Sequence, residues 1–167
     1  MTTFVTADRH LGVVLDDEVR DRLVEHCRRA GRKETGGILI GRYSNLHDQA
    51  IVTDVTGPPK DSVRRQFSFV RGLVGVQRRL DRAWRQRDFY LGEWHFHPFM
   101  AADPSGRDRT QIIDFSRDPA YACPEPILLV VGGDPDHDPE FQVAVVQGDD
   151  LVFLTPSAEA HHVTTDK

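Results

Sequence analysis

Apolar residues along the chain recur at two different spacings, one that suits a strand and one that suits a helix. The run LGVVL at 11–15 is short and β-branched and predicts a strand. Directly after it, Val19, Leu23, Val24 and Cys27 fall on one stripe of EVRDRLVEHCRRA, which predicts an amphipathic helix. Asp16 or Asp17 supplies its N-cap, acids open it, arginines end it and Gly31 closes it. GGILIGRY and AIVTDVTG, joined by SNLHDQ, predict a hairpin, and GPPKDSVRRQ reads as a loop. From about Val70 to Arg87 a second helix is expected, with Leu73, Val76, Leu80 and Trp84 as its core-facing stripe. FYLGEWHFH predicts the next strand, and a short helix follows Ser105. ILLVVGG and FQVAVVQG flank the acidic turn DPDHDPE, LVFL is the last strand, and TPSAEAHHVTTDK reads as a frayed tail. This interleaving predicts a single α/β (α+β) domain over residues 1–155, a mixed sheet flanked by helices, with a tail at 156–167.

Composition narrows the class. A chain of 167 residues, 39% of them hydrophobic, has enough apolar material for one domain with a sizeable core. The net charge of -5 and the dispersal of arginines among acids leave no electrostatic footprint for a nucleic-acid backbone, so no nucleic acid is expected as a partner. MTTFVTADRHLGVVL carries neither a basic leader nor a long apolar run, so the expected setting is cytoplasmic with no membrane contact. Two cysteines are too few for a disulfide framework. Both are expected to be reduced, Cys27 as core filler and Cys123 in a loop, and nothing nearby activates either as a nucleophile.

The candidate chemistry lies in GEWHFHPFMAADPSGRD, residues 92–108. On a strand His95 and His97 share one face while Phe96 points to the other. Two imidazoles on one face can grip a metal ion, and a catalytic zinc takes a third protein ligand and keeps one position for water. Asp108 follows after Pro98 and the turn signal DPSG, with enough chain to fold back. Each piece also has a structural reading. The His pair can be a hydrogen-bonded surface feature, Ser105 and Asp108 form the pattern of a capping box, and Glu34 can be an exposed loop carboxylate. Trp94 is expected in the core beside Phe96, and Glu93 is either an acceptor for an imidazole N–H or an exposed carboxylate at the rim.

Taken together, Glu34 ahead of GGILIG, then HFHP, six intervening residues and SGRD resemble the motif of the JAMM (JAB/MPN) zinc metalloprotease family. The likeness covers about residues 10–155, and it implies the family's β-sheet flanked by helices. By position it implies that His95, His97 and Asp108 ligate one Zn2+, that Glu34 acts on the metal-bound water, and that Ser105 supports the tetrahedral intermediate. Phe96 departs from the pattern, where Ser or Thr is usual, in a residue that faces away from the metal. ETGGILIG, VTGPPKDS, YLGEWHFHP and CPEPILLVVGG resemble compact bacterial members most.

Such a protein is expected to cleave the bond after the C-terminus of a ubiquitin-like modifier, or of a conjugated cGAS-like nucleotidyltransferase, undoing the work of E1-like and E2-like enzymes in CBASS antiphage defence. A peptidase of a bacterial ubiquitin-like or sulfur-carrier system and a non-catalytic MPN scaffold are the alternatives. A nucleotide phosphodiesterase ranks last, because no phosphate-cradling Gly-rich loop precedes a helix. GPPKDSVRRQFSF, FMAADP and SRDPAYACPEP are the loops expected to flank the groove. Arg64 and Arg65 either meet acidic groups of a modifier there or are simply solvated.

Overall fold

A computed structural model describes residues 1–157. In chain order the elements are β1 (Thr2–Val5), β2 (Gly12–Leu15), α1 (Asp17–Ala30), β3 (Thr35–Tyr43), β4 (Gln49–Val55), β5 (Val63–Arg65), β6 (Ser68–Val70), α2 (Val76–Trp84), β7 (Phe89–Pro98), α3 (Gly106–Arg117), β8 (Ile127–Gly133), β9 (Glu140–Gln147) and β10 (Asp150–Pro156). Eight strands close into a barrel in the order β1-β10-β9-β8-β7-β3-β4-β2, and β5 and β6 form a separate two-stranded ribbon. The pairs β2/β4 and β7/β8 are parallel and the other neighbours antiparallel. A parallel pair needs a long crossover, and α3 is the helix of the one between β7 and β8. No helix among the described residues is long and apolar enough to cross a membrane.

Alternation along the strands divides the apolar residues between two faces. The inner cluster draws on every barrel strand, from Phe4 and Leu15 to Trp94, Phe96, Leu129, Val143 and Leu154, and takes in Val19, Leu23 and Cys27 of α1. Outside the barrel, Ile38, Ile40 and Tyr90 pack under Val76, Leu80 and Ala83 of α2. Leu128, Val130 and Val146 pack under Ile112 of α3. The sheet at β3, β7 and β8 is thus covered on both sides, which is where a side chain can be held away from water.

The first helix follows its sequence signals, with Asp16 rather than Asp17 as the cap, accepting from the Val19 N–H, and Gly31 closing it at φ 64°. The second does not. Leu73 and Trp84 are each 68% exposed, and α2 begins at Val76, not Val70. Its predicted start is prevented locally: the Asp61 carboxylate accepts the N–H groups of Leu73 and Val74, and Gly75 enters the helix in the left-handed region at φ 82°. GPPKDSVRRQ is not all loop, because β5 lies within it and pairs with β6. β1 is a further strand, paired with both β2 and β10. Thr155 and Pro156, which the frayed-tail reading included, belong to β10, and the Ser157 N–H donates to the Thr3 carbonyl. The rest of that tail, 158–167, lies outside the described residues.

One irregularity in β7 bears on the site. Its register with β3 shifts between Leu39, which faces Gly92, and Ile40, which faces Tyr90, so Leu91 is an extra residue. Such a bulge resets the alternation, and Tyr90 and Glu93 consequently share the outer face. Gly92 sits there at φ 151°, where a Cβ would run into the backbone of Ile127 on β8.

Candidate metal centre

His95 and His97 project from the outer face of β7, next to Val130 and Gly132 of β8. Trp94 and Phe96 alternate into the barrel core, so the packing reading of those two holds. The chain then turns back over the end of β8. Phe99 donates to the Gly133 carbonyl at 2.9 Å and Gly133 to the Met100 carbonyl at 2.7 Å. Gly132 permits this, because a Cβ there would meet the backbone of Met100 to Ala102. The return delivers the N-terminus of α3 to the two histidines.

Ser105 is the N-cap of α3 and Asp108 its third residue, and the reciprocal bonds of a capping box are both made. Ser105 Oγ accepts the Asp108 N–H at 3.1 Å, and Asp108 Oδ2 accepts the Ser105 N–H at 2.8 Å. Asp108 also turns to the histidines. Its Oδ1 lies 2.7 Å from His95 Nδ1 and its Oδ2 3.2 Å from His97 Nε2. The cap and the cluster are therefore one construction, in which the first turn of α3 aims a carboxylate at β7.

All three residues are buried, and their ligand atoms lie within 4.8 Å of one another. Burial alone would push the Asp108 carboxyl up, but the hydrogen bonds and charges of His95 and His97, with Ser105, hold it far below the usual carboxylate range. Burial would push His97 down, and its bond to Asp108 and the Asp108 charge outweigh this and raise it. His95 Nε2 is buried with no hydrogen-bond partner. A buried polar nitrogen left bare costs about 1–3 kcal/mol, so such atoms are normally satisfied. Two imidazoles, one of them with a bare ring nitrogen, and a carboxylate held in its ionised form fit a metal ion through N and O donors.

Glu34 comes one residue before β3. Gly36 faces His95 and Thr35 faces Phe96, so the same register carried back one step sets Glu34 across from His97. It is half-buried and outside the three-donor group. Burial raises its carboxyl above the ordinary value; His97 and His95 oppose the rise, and Asp108 adds to it. Its backbone N–H donates to the Arg65 carbonyl of β5 at 2.8 Å. Beside this group a groove of about 590 Å³ runs between Phe69 and Val70 of β6 and Arg107, Gln111 and Phe115 of α3. All five residues singled out from the sequence thus converge at one end of β7.

Neither reading of Glu93 survives. It is fully buried, bonded to Arg71 and Tyr90 and not exposed at a rim, and its hydrogen bonds go to those residues and not to an imidazole. Phe69 and Arg71 were not anticipated either. Phe69 sets its ring edge-on to His95, with centroids 5.5 Å apart. Arg71 lay inside the predicted helix, where nothing in the periodicity marks an arginine for burial. Cys27 and Cys123 are both buried, and burial pushes both thiols up, away from the reactive thiolate.

The family described as prokaryotic homologs of the JAB domain matches residues 16–144. A CD-NTase/cGAS isopeptidase of Enterobacter hormaechei subsp. hoffmannii is 36% identical over 133 residues, covering 80% of this chain and 74% of that protein. A probable metalloprotease of Sinorhizobium fredii is 27% identical over 127 residues, 74% of this chain and 77% of its own length. The solution structure of a Desulfitobacterium hafniense protein superposes with a TM-score of 0.61 at 20% identity, over 84% of this chain and 88% of that one. That likeness is one of fold.

Proposed function

The chain belongs to the prokaryotic homologs of the JAB domain, and from that membership we propose a zinc-dependent isopeptidase that removes a conjugated cGAS-like nucleotidyltransferase or ubiquitin-like modifier from its target. The reaction would reverse E1/E2-type conjugation in bacterial antiphage defence, within the cytoplasm. One observation carries the reading: His95, His97 and Asp108 meet at hydrogen-bonding distances beside Glu34. The relative named as a CD-NTase/cGAS isopeptidase supports the choice of substrate.

The reaction adds water across the carbonyl carbon and nitrogen, leaving a carboxylate and a free amine. His95, His97 and Asp108 would hold a zinc ion, which when bound would supply Lewis acidity toward the carbonyl and toward a water. The Glu34 carboxylate takes a proton from the attacking water and later delivers it to the departing nitrogen. Ser105 Oγ spends a lone pair on the Asp108 N–H, which leaves its hydroxyl hydrogen to donate to the oxygen where negative charge develops. The Ser105 N–H fixes Asp108 Oδ2 in return, so the ligand and the oxyanion donor are set by the same turn.

Chelation tests the reading. A strong chelator at neutral pH should bring cleavage of an isopeptide-linked conjugate to background, and excess zinc should restore it. Full activity in chelator would mean that the hydrolysis is not metal-dependent.

A further inference from the structure

The ribbon of β5 and β6 is closed at its base, where Ser62 Oγ accepts the Gly72 N–H and Asp61 those of Leu73 and Val74, but these bonds do not fix it to the barrel. Its strands are three residues each, and Val63, Arg64, Arg65 and Val70 are exposed. A two-stranded ribbon alone is marginal in water, so its position must come from contacts with the barrel. Three such contacts are made at or beside the candidate centre. The Arg65 carbonyl accepts the Glu34 N–H at 2.8 Å. Phe69, the buried residue of the ribbon, lies against His95 in space left by Gly36, where a Cβ would strike the Phe69 ring. One residue beyond β6, Arg71 turns into the protein.

Arg71 Nε donates to Glu93 Oε2 at 2.7 Å, its two terminal nitrogens donate to the Tyr121 hydroxyl at 2.7 Å and the Gly72 carbonyl at 3.0 Å, and its guanidinium lies 5.5 Å from the Phe115 ring. The other Glu93 oxygen accepts the Tyr90 hydroxyl at 2.9 Å. Both charged side chains are 2% exposed. A buried pair of this kind is weak evidence for stability, because apolar residues of equal volume often serve as well. What it does provide is direction. A planar fork with its partners fixed on β7 and in the segment after α3 admits one placement of the chain leaving β6. Glu93 stands two residues from His95 on the same face of β7.

We infer that the buried Arg71–Glu93 pair is the pin that seats the β5–β6 ribbon on the catalytic centre, which makes Arg71 and Phe69 positioning residues for Glu34 and His95. The inference rests on the proposed roles of those two residues. With the pin removed the ribbon lifts, the Glu34 N–H loses its acceptor and the edge of Phe69 leaves the imidazole, while the barrel stays closed.

Amide hydrogen exchange in Arg71→Met tests this without any substrate. Exchange at Glu34 and across 63–70 should speed up by about 30-fold or more beyond any change in the core of β8 and β9. Turnover should fall in the same variant. Phe69→Leu, which keeps an apolar side chain but no ring edge, should weaken zinc affinity roughly 10-fold, read against a competing chelator. Should Arg71→Met fail to fold, Arg71→Lys keeps the charge beside Glu93 but cannot reach Tyr121 as well, and the same exchange pattern is expected. Unchanged Glu34 exchange in a folded Arg71 variant overturns the pin, and faster exchange with normal turnover overturns the positioning role. Wild-type protein inert toward every conjugate contradicts the proposed function instead, and the exchange result stands apart from it.

Discussion

Replacing Glu34 by glutamine should abolish turnover and leave the metal in place. The substitution keeps the size of the side chain and its half-buried position but removes the only function assigned to it, carrying a proton from water to the departing amine. General acid–base groups contribute about 10²–10⁴-fold, and an amide nitrogen is too poor a leaving group to depart unprotonated, so the loss should be at the upper end. Metal content should persist because Glu34 lies outside the group formed by His95, His97 and Asp108. Stability should move by less than about 0.5 kcal/mol, as for substitutions that disturb no packing or buried pair. Kinetics and metal content on one preparation check both halves. Normal cleavage by Glu34→Gln would place the proton carrier elsewhere.

The complementary variant, His97→Ala, should lose metal and turnover together. His97 is buried, and its Nε2 lies 3.2 Å from Asp108 Oδ2, so its removal takes away one of three donors and half of the carboxylate's imidazole contacts. Changing an outer partner of a ligand typically costs about 10–100-fold in metal affinity, and deleting a ligand should exceed that. The fold should survive, because Asp108 keeps His95 and the Ser105 N–H. Native mass spectrometry reads the stoichiometry directly: one ion in the parent and in Glu34→Gln, none in His97→Ala. Retention of a full ion by His97→Ala would remove it from the ligand set.

The contrast between the two variants follows from how the site is written in the chain. His95, His97, Ser105 and Asp108 fall within fourteen residues, and each is placed by a local rule, strand alternation for the first pair and a capping box for the second. Local rules are legible in a sequence, which is also why α1 could be placed between a cap at Asp16 or Asp17 and Gly31. The two readings of SGRD were not rivals, since one Asp108 carboxylate has oxygens enough to close the cap and face both imidazoles.

What the sequence concealed depends on distant partners. β1 is four residues whose mate β10 lies at the other end of the chain, and closure of the barrel leaves no periodic trace. β5 is exposed throughout, so it lacks the alternation by which a half-buried strand is recognised. The apolar spacing of Leu73, Val76, Leu80 and Trp84 is real, yet the Asp61 carboxylate holds its first member in a loop and the last ends in water. Glu93 was misread for the same reason. A glutamate between Gly92 and Trp94 reveals nothing of an arginine twenty-two residues earlier that will neutralise it inside the protein.

Hydrolysis at the carbonyl of a conjugate is the claim on which the rest depends, and it can be read from product masses. The protein would be given an isopeptide-linked conjugate of a nucleotidyltransferase C-terminus in ¹⁸O-labelled water. The account predicts one labelled oxygen in the newly freed C-terminal carboxylate, an unlabelled lysine amine on the target, and no products with Glu34→Gln. Intact conjugate after incubation with the zinc-loaded protein, or products whose new carboxylate carries no label, would contradict it.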